Sequence, residues 1–180
     1  MKQTFFLIII LSFVALIEAC HSETTKPTKP NIKDLDEKIL NANKLIVRDE
    51  TKDIHFLLKR YHWKMKTTGT GMYYSIDVDK EGSLLQKGDK VDIAYSISLI
   101  NGKEVYNSTR DSIKTIVIEE SDEPVGVHEL LKMMSLGDKA KAIIPSYMAY
   151  GILGDNDQIP PYATLIYRIE IINIHKNNKN

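Results

Sequence analysis

The sequence predicts an α+β fold, in which antiparallel strands and one short helix form a domain that follows a helical N-terminal arm. Three observations lead to this class: two runs with the two-residue period of half-buried strands, an Asn-Gly dipeptide between extended segments, and a short apolar stripe at helical spacing. The 180 residues suffice for one folded domain of ordinary core size plus the arm.

Residues 1–19 predict a lipoprotein signal peptide. Lys2 precedes an apolar run, residues 5–17, that ends just before the single cysteine, Cys20. This run of 13 residues is shorter than the ~20 that a membrane-spanning helix needs. The approach to Cys20 resembles a bacterial lipobox, in which Glu18 is an unusual residue. We therefore expect a chain anchored through acylated Cys20 to a lipid membrane of the bacterial cell envelope, on the periplasmic or outer-membrane side.

Residues 20–31 predict a flexible tether, because they are rich in Thr, Lys and Pro and lack apolar periodicity. Residues 32–66 predict a helical arm. Apolar residues recur there at helical spacing on both sides of the polar stretch 48–52, namely Leu35, Ile39, Ala42 and Ile46 before it and Ile54, Leu57, Leu58 and Tyr61 after it. We expect one interrupted helix or two short ones. The apolar stripe is too narrow to decide between three roles of the arm: packing on the domain, self-association with a second copy, or contact with a client chain.

Two strands with one buried face are predicted in the domain that follows, residues 67–175. In the first, residues 91–99, alternate positions are apolar and Tyr95 shares their face. The dipeptide Asn101-Gly102 then indicates a hairpin, because both residues tolerate positive φ. In the second strand, Thr164 to Ile172, the same alternation places Tyr167 on the inward face.

One short helix is predicted between these strands, from about Val127 to Met134. Its apolar positions fall at i, i+3, i+4 and i+7, which are Val127, Leu130, Leu131 and Met134. Gly137 is expected to end the helix, and residues 140–144 then run extended into Pro145.

A rigid apolar corner is predicted just before the last strand. The run Tyr147-Met148-Ala149-Tyr150-Gly151 is followed, after a short acidic loop, by Ile159-Pro160-Pro161. The two prolines fix their φ angles and remove two backbone donors, so this turn forms a stiff and dry wall. A stiff apolar pocket with aromatic side chains suits a prolyl ring.

Several motifs occur in order over about the last hundred residues: Gly88-Asp89-Lys90-Val91 with Tyr95, Asn101-Gly102-Lys103, Leu136-Gly137-Asp138-Lys139-Ala140, Ala149-Tyr150-Gly151, and Ile159-Pro160-Pro161 with Ala163-Thr164-Leu165. Their ordered combination resembles the FK506-binding (FKBP-type) peptidyl-prolyl isomerases. The resemblance implies a twisted antiparallel sheet wrapped around one short helix, a prolyl pocket between them, and isomerase activity without a cofactor or metal. The combination of the lipobox, the helical arm and an Ala-Tyr-Gly-x-x-Gly-Asp loop particularly resembles that of FKBP-like lipoproteins associated with bacterial gliding motility.

The resemblance assigns catalytic roles to three tyrosines. It implies that the Tyr150 hydroxyl donates a hydrogen bond to a carbonyl of the bound peptide, while Tyr95, Tyr167 and Ile159 line the proline pocket. Inward aromatics of a small sheet are commonly plain core residues, which is the alternative for Tyr95 and Tyr167. Tyr150 lies in a predicted loop beside Gly151, where a pocket better explains a large aromatic side chain.

The chain departs from the family pattern at the pocket. Val105-Tyr106 stands where many members have Phe-Asp, so the acidic pocket residue is expected to be missing, and Val127 stands where a Trp is common. The segment 114–118 has no clear counterpart of a usual aromatic, and Asp155 stands where a His is frequent. The residues expected to bind substrate, with Leu130 and Val105 refilling the pocket, are Val105, Tyr106, Val127, Leu130 and Ile159.

The composition gives no basis for a nucleic-acid partner. Lys and Arg number 24, as do Asp and Glu, and removal of residues 1–19 takes one charge of each sign, so the net charge stays at zero. Residues 176–180 are expected to form a frayed, disordered tail. His55 and His62 lack acidic or thiol partners for a metal site, and Ser146 lacks the Gly-x-Ser-x-Gly elbow of a hydrolase.

Two functions of different class follow from the sequence. The first is a membrane-anchored prolyl isomerase that assists the folding of exported or envelope proteins, with proline-containing polypeptides as clients. The second is a catalytically weak or inactive FKBP-like binding or chaperone module of an envelope complex. The retained Tyr150, Ile159 and Tyr167 favour the enzyme, whereas the missing acid and the small Val127 favour the binding module.

Overall fold

The computed structural model describes residues 32–176. The predicted signal peptide, Cys20, the tether and residues 177–180 of the predicted tail lie outside the described residues. Across 32–176, no helix is both long enough and apolar enough to cross a membrane.

The chain divides into two compact units, Met1–Ala42 and Asn43–Asn180. In the first unit the described residues are helical, and their large apolar side chains are exposed: Leu35, Ile39 and Leu40. The second unit contains the remainder of this helix and all of the sheet described below.

Helix α1 spans Ile32–Tyr61 without interruption. The predicted break at residues 48–52 is therefore wrong. These polar residues remain helical, and Lys52 forms an ion pair with Asp49 one turn earlier, with 3.1 Å between Nζ and Oδ1. Glu50, in the same stretch, is 9% exposed and accepts hydrogen bonds from the domain. The polar stretch is therefore a docking point rather than a hinge.

The described residues form one seven-stranded sheet in which every pairing is antiparallel. Its strands are β1 (Lys66–Thr67), β2 (Tyr73–Val78), β3 (Lys90–Leu99), β4 (Glu104–Asn107), β5 (Lys114–Val117), β6 (Lys139–Ile144) and β7 (Leu165–His175). The spatial order is β1-β2-β6-β7-β3-β4, and β5 pairs with the first half of β3 beyond the end of β4. The final strand of the sheet along the chain therefore lies at its centre.

Two further α-helices lie among the strands, α2 (Ser108–Asp111) and α3 (Val125–Leu131), and a 3-10 turn covers Ser146–Met148. The predicted hairpin is present, since β3 and β4 pair around Asn101-Gly102 and Gly102 has a φ of 89°. The predicted fold class is confirmed.

Helix α3 begins and ends earlier than the prediction of Val127 to Met134. Pro124 sits at its N-cap position, and Lys132 is its C-cap. The apolar face nevertheless continues past the helix, because the Met134 N–H bonds the carbonyl of Leu131 in a turn and the Met134 side chain is fully buried.

The core occupies both faces of the sheet. The larger cluster fills the space between the sheet and α3, and it includes the inward residues Val91, Ile93, Ile97, Leu165, Tyr167, Ile169 and Ile171. A second cluster joins Ile54 and Leu57 of α1 to Ile143 and Ile166 on the other face. The second half of α1 is thus part of the folded domain.

The side chain of Lys176 contacts the folded domain, although the sequence predicts a frayed tail from this residue on. Its Nζ lies 2.8 Å from Oδ2 of the buried Asp89 and 3.1 Å from the carbonyl oxygen of Leu84. The prediction that residue 176 belongs to a frayed tail is therefore wrong.

Candidate active site

A cavity of about 460 Å³ opens between the β3–β4 hairpin, β5 and the loop after the 3-10 turn. Its walls combine three tyrosines with an unexpectedly charged set of neighbours, and its lining residues are Tyr95, Ile97, Tyr106, Asp111, Lys114, Tyr150, Asp155, Asp157 and Gln158. Three of the predicted site residues, Tyr95, Tyr106 and Tyr150, therefore meet in one pocket.

The other predicted site residues lie in the core. Tyr95, Tyr106 and Tyr150 pack against the main core cluster, which contains the buried residues Val105, Val127, Leu130, Ile159 and Tyr167. Each of these five is at most 2% exposed. They form the apolar core behind the tyrosine-lined pocket. Their role as substrate-binding or catalytic residues remains a prediction.

Tyr150 is positioned by a tight turn. The 3-10 turn starts after Pro145, and the Gly151 N–H closes it with a 2.8 Å hydrogen bond to the Ser146 carbonyl. Gly151 has a φ of 60°, which an L side chain rarely adopts. Burial, reinforced by the negative charge of Glu123, raises the pKa of the Tyr150 phenol above its usual range. The phenol is therefore neutral at physiological pH and can donate a hydrogen bond.

Tyr167 points inward from β7, as the alternation predicts. Burial raises its pKa well above the ordinary value, and the neighbouring Tyr150 adds to the effect. Among the described residues, its hydroxyl is the one buried side-chain polar atom without a hydrogen-bond partner.

Acidic residues reach the pocket from a different element than expected. The Tyr106 hydroxyl donates to Asp155 Oδ2 at 2.5 Å and lies 3.2 Å from Asp157 Oδ2. The other Asp155 oxygen accepts the N–H groups of Asp157 and Ile159, at 2.9 and 2.8 Å. The pocket therefore keeps carboxylates, although none stands at Val105-Tyr106, where many family members have Phe-Asp. The expectation that an acid would be missing is corrected to this extent.

The loop between Tyr150 and Ile159 has a tightly folded backbone. Gly154 has a φ of 69°, and a Cβ at this position would lie 2.1 Å from the Ile159 carbonyl oxygen. The N–H of Asp155 also bonds that carbonyl at 3.1 Å. Glycine is thus required for the loop to close on itself beside the pocket.

Sequence reasoning missed an ion pair at the pocket wall. Lys114 Nζ lies 2.6 Å from Glu123 Oε1, whose side chain is only 11% exposed. Lys114 Nζ also lies 5.9 Å from the centre of the Tyr95 ring, within cation–π range. Burial lowers the pKa of Lys114, but the hydrogen bond and charge of Glu123 outweigh it, so the net pKa is raised. The two-residue period of β5 places Lys114 on the face of the buried Ile116, and that inward lysine was the available signal.

The 3-10 turn before Tyr150 is held from α1. Glu50 Oε1 accepts the Ser146 N–H at 2.6 Å and the Thr164 hydroxyl at 2.5 Å, and Oε2 accepts the Ser146 hydroxyl at 3.1 Å. Ser146 and Thr164 flank the stretch that carries Tyr150 and Ile159. One buried carboxylate therefore fixes both ends of this part of the site.

One of the two histidines noted in the sequence, His55, contacts a tyrosine of the sheet. His55 Nε2 lies 3.1 Å from the Tyr73 hydroxyl, with the two rings edge to face. In the part of the chain that the structure describes, no three His, Cys, Asp or Glu side chains are grouped as metal ligands would be.

The fold and the cavity define an α+β domain with a tyrosine-lined pocket between the β3–β4 hairpin, β5 and the loop after the 3-10 turn. The family model of the FKBP-type peptidyl-prolyl cis-trans isomerases matches residues 82–172. This match covers half of the chain, and the chain belongs to that family.

Individual relatives agree with this assignment. The FKBP-type peptidyl-prolyl cis-trans isomerase FkpA of Buchnera aphidicola is 30% identical over 150 residues, which are 79% of this chain and 61% of that protein. FK506-binding protein 1 of Debaryomyces hansenii is 38% identical over 90 residues, or 49% of this chain and 80% of the relative. The crystal structure of FkpA from Escherichia coli superposes with a TM-score of 0.62 at 26% identity, covering 91% of this chain and 80% of that one.

The likeness extends beyond the isomerase domain but not over the whole of the relatives. The chain spans about three fifths of the length of the Buchnera protein and less than half of an FkpA from Neisseria meningitidis. The relatives' names agree with the predicted enzyme class, and none of these comparisons tests the individual pocket residues.

Proposed function

We propose that this chain is a peptidyl-prolyl cis-trans isomerase that acts through the pocket of Tyr95, Tyr106 and Tyr150. One observation carries the proposal: a neutral phenol, Tyr150, lies at the pocket wall in front of an apolar core that includes Ile159 and Tyr167. Family membership supports the same activity.

The reaction requires little of the protein. Rotation about an X–Pro amide has a barrier of roughly 20 kcal/mol set by resonance, and no bond is broken. The planar amide is more polar than the twisted one, so an apolar pocket that removes water from it disfavours the planar form relative to the transition state. Tyr150 donates a hydrogen bond to a peptide carbonyl and holds the proline in this pocket. No general acid or base is needed.

The test is a cis/trans assay on proline peptides with varied preceding residues. The full chain lacking residues 1–19, with Cys20 replaced by Ser, is compared with Tyr150→Ala and with Tyr162→Ala. Tyr162 is an exposed tyrosine of the same segment that does not line the tyrosine pocket. Acceleration that Tyr150→Ala removes and Tyr162→Ala retains supports the proposal. No acceleration by a folded wild type across the peptide panel contradicts it.

The proposed location is the bacterial cell envelope. Cleavage before Cys20 and its acylation would hold the domain at a membrane, where exported proteins fold and slow prolyl steps take tens of seconds. A Cys20→Ser variant should then move from the membrane fraction to the soluble fraction and lose incorporated fatty acid. Membrane association that survives the substitution would contradict the anchor.

Two finer proposals concern partners. The exposed apolar side chains of α1, Leu35, Ile39 and Leu40, support self-association through the arm, which sedimentation of the wild type and of a Leu35→Glu, Ile39→Glu variant tests. A link to gliding motility rests on resemblance alone, and colony spreading of a strain that lacks the protein tests it.

The charged pocket wall favours a second candidate, a binding or chaperone module with weak catalysis. Asp111, Lys114, Asp155 and Asp157 make the entrance more polar than an apolar proline site requires. Under this alternative the protein suppresses aggregation of an unfolded client equally well with and without Tyr150, and it accelerates prolyl isomerisation weakly or not at all.

A further inference from the structure

The Tyr167 hydroxyl is the unexplained polar group of the pocket region. It is carried by β7, the central strand, on a side chain that is 2% exposed, and it has no hydrogen-bond partner among the described residues. A buried hydroxyl without a partner destabilises the folded state, and a phenylalanine would fill the same space without that cost. The hydroxyl therefore calls for a role that the structure without peptide does not display.

Among the side chains that shift the pKa of Tyr167, Tyr150 has the largest effect. The two phenols lie close enough to affect each other's ionisation, and their interaction lowers the pKa of Tyr150 and raises that of Tyr167. Burial is the larger cause of the raised pKa of each phenol. The pair nevertheless falls short of hydrogen-bond geometry in the structure without peptide, because Tyr167 is left unpaired.

Tyr150 stands between Tyr167 and the open pocket. It lines the cavity and packs against the cluster that contains Tyr167. A phenol oxygen can accept one hydrogen bond while its own hydrogen is donated elsewhere. The geometry therefore offers a chain of two hydroxyls that runs from the buried core to the cavity.

We propose that Tyr167 is a positioning residue for Tyr150: when the Tyr150 hydroxyl donates to a carbonyl of a bound proline peptide, the Tyr167 hydroxyl donates to the Tyr150 oxygen. This inference rests on the proposed function and deepens it. Chains of hydrogen bonds polarise one another, so an acceptor role makes Tyr150 a stronger donor to the peptide. Tyr167 acquires its missing partner at the same time.

The experiment is a double-mutant cycle of Tyr150→Phe and Tyr167→Phe, read as both kcat/KM for proline peptides and Tm. In the wild-type background, Tyr167→Phe should raise Tm, because the unpaired hydroxyl is removed. It should also lower kcat/KM by about threefold to tenfold, the range that one hydrogen bond supports. In the Tyr150→Phe background, Tyr167→Phe should leave kcat/KM unchanged, since the chain is already broken.

Tyr74→Phe is the matched control. Tyr74 also packs against the core cluster but does not line the cavity, and its loss of a hydroxyl should leave kcat/KM unchanged. A fall in Tm together with kcat/KM would mark a purely structural role for Tyr167 and overturn the proposal. An unchanged kcat/KM, or an equal loss in both Tyr150 backgrounds, would also overturn it.

Failure of the proposed function has a separate signature. If the wild type does not accelerate isomerisation, the same double-mutant cycle is measured by calorimetry as affinity for a proline peptide. Coupling between the two hydroxyls in binding supports the positioning role of Tyr167, and the absence of coupling overturns it. A wild type that neither catalyses nor binds overturns both proposals.

Discussion

The Tyr106 hydroxyl on β4 donates a hydrogen bond to Asp155, 49 residues further along the chain, with 2.5 Å between Oη and Oδ2. This bond joins the edge of the hairpin to the loop that connects Tyr150 with Ile159. The carboxylate is further oriented by two backbone N–H groups of its own loop. One side of the pocket is thus closed by a polar contact between elements that are distant in sequence.

Replacement of Tyr106 by Phe should loosen this loop while leaving the sheet intact. The ring still packs against the core cluster, and only the hydrogen bond is lost. We expect a loss of about 1 kcal/mol in the free energy of unfolding, at the low end for a bond to a charged group because the pair is partly exposed. Amide hydrogen exchange should accelerate at residues 155–159 first.

The control for Tyr106 is Tyr162→Phe, which removes an exposed hydroxyl of the same region. It should change neither urea unfolding nor exchange. Equal effects of the two substitutions would show that the contact between Tyr106 and Asp155 does not hold the loop.

Acid should weaken the same loop. Burial alone would raise the pKa of Asp155, but the Tyr106 hydroxyl and the backbone N–H groups hold it below its ordinary value of about 3.9. A carboxyl with a lowered folded-state pKa contributes stability that is complete above the ordinary pKa and lost as pH falls through the folded value. The stability difference between wild type and Asp155→Asn should therefore be constant from about pH 7 to 5 and shrink below about pH 4.

Urea unfolding at a series of pH values measures this difference. Asp122→Asn changes an exposed carboxyl elsewhere on the surface and should show no such dependence. If the free energies of unfolding of wild type and Asp155→Asn differ by the same amount at pH 7 and at pH 3, the Asp155 carboxylate does not stabilise the loop.

Removal of Glu50 should destabilise the domain strongly, although this residue lies in the predicted N-terminal arm, for which packing on the domain was only one of three alternatives. Glu50→Ala leaves the Ser146 N–H and two hydroxyls without their acceptor in a buried place. We expect a loss of about 2–4 kcal/mol in the free energy of unfolding.

The matched variant is Asp53→Ala, an exposed acidic residue about one turn along the same helix. It should change stability by no more than about 0.5 kcal/mol. Thermal unfolding followed by circular dichroism compares the two, and similar Tm values would show that α1 does not hold the loop through Glu50.

The ion pair of Lys114 and Glu123 should contribute more than an exposed pair. A double-mutant cycle of Lys114→Met and Glu123→Gln measures the coupling energy, which we expect to be about 1 kcal/mol, because the carboxylate is nearly enclosed while the lysine is partly solvated. The pair of Lys139 and Glu170 lies at 2.8 Å but is more exposed on both sides. Its coupling should be smaller and should vanish in high salt, whereas equal coupling of the two pairs would contradict the role of burial.

The local patterns in the sequence were enough to predict β3, β7, the extended run that forms β6, the hairpin, and the inward direction of Tyr95 and Tyr167. Each of these depends on a period of two residues or on the φ preference of one turn. The continuity of α1 was not predictable in this way, because the polar stretch 48–52 lacks an apolar signal. What keeps it helical and docked includes Glu50, whose partners are 96 and 114 residues away.

The charged side of the pocket escaped prediction for the same reason. A motif reveals which residue is missing from a position, such as the acid after the hairpin, but not which distant residue takes its place. Asp155 reaches Tyr106 only after the loop has folded over a glycine, and Glu123 meets Lys114 only when the segment before α3 packs beside β5. Lys114 was missed as well, although the alternation of β5 places this lysine on the inward face, where a charged side chain needs a partner.

The position of β7 determines when this protein can acquire its structure. It is the final strand of the sheet along the chain, and it pairs with β6 on one side and β3 on the other. A nascent chain that has emerged only as far as the proline corner has two half-sheets with nothing between them. The sheet can therefore be completed only after residues up to His175 have left the ribosome.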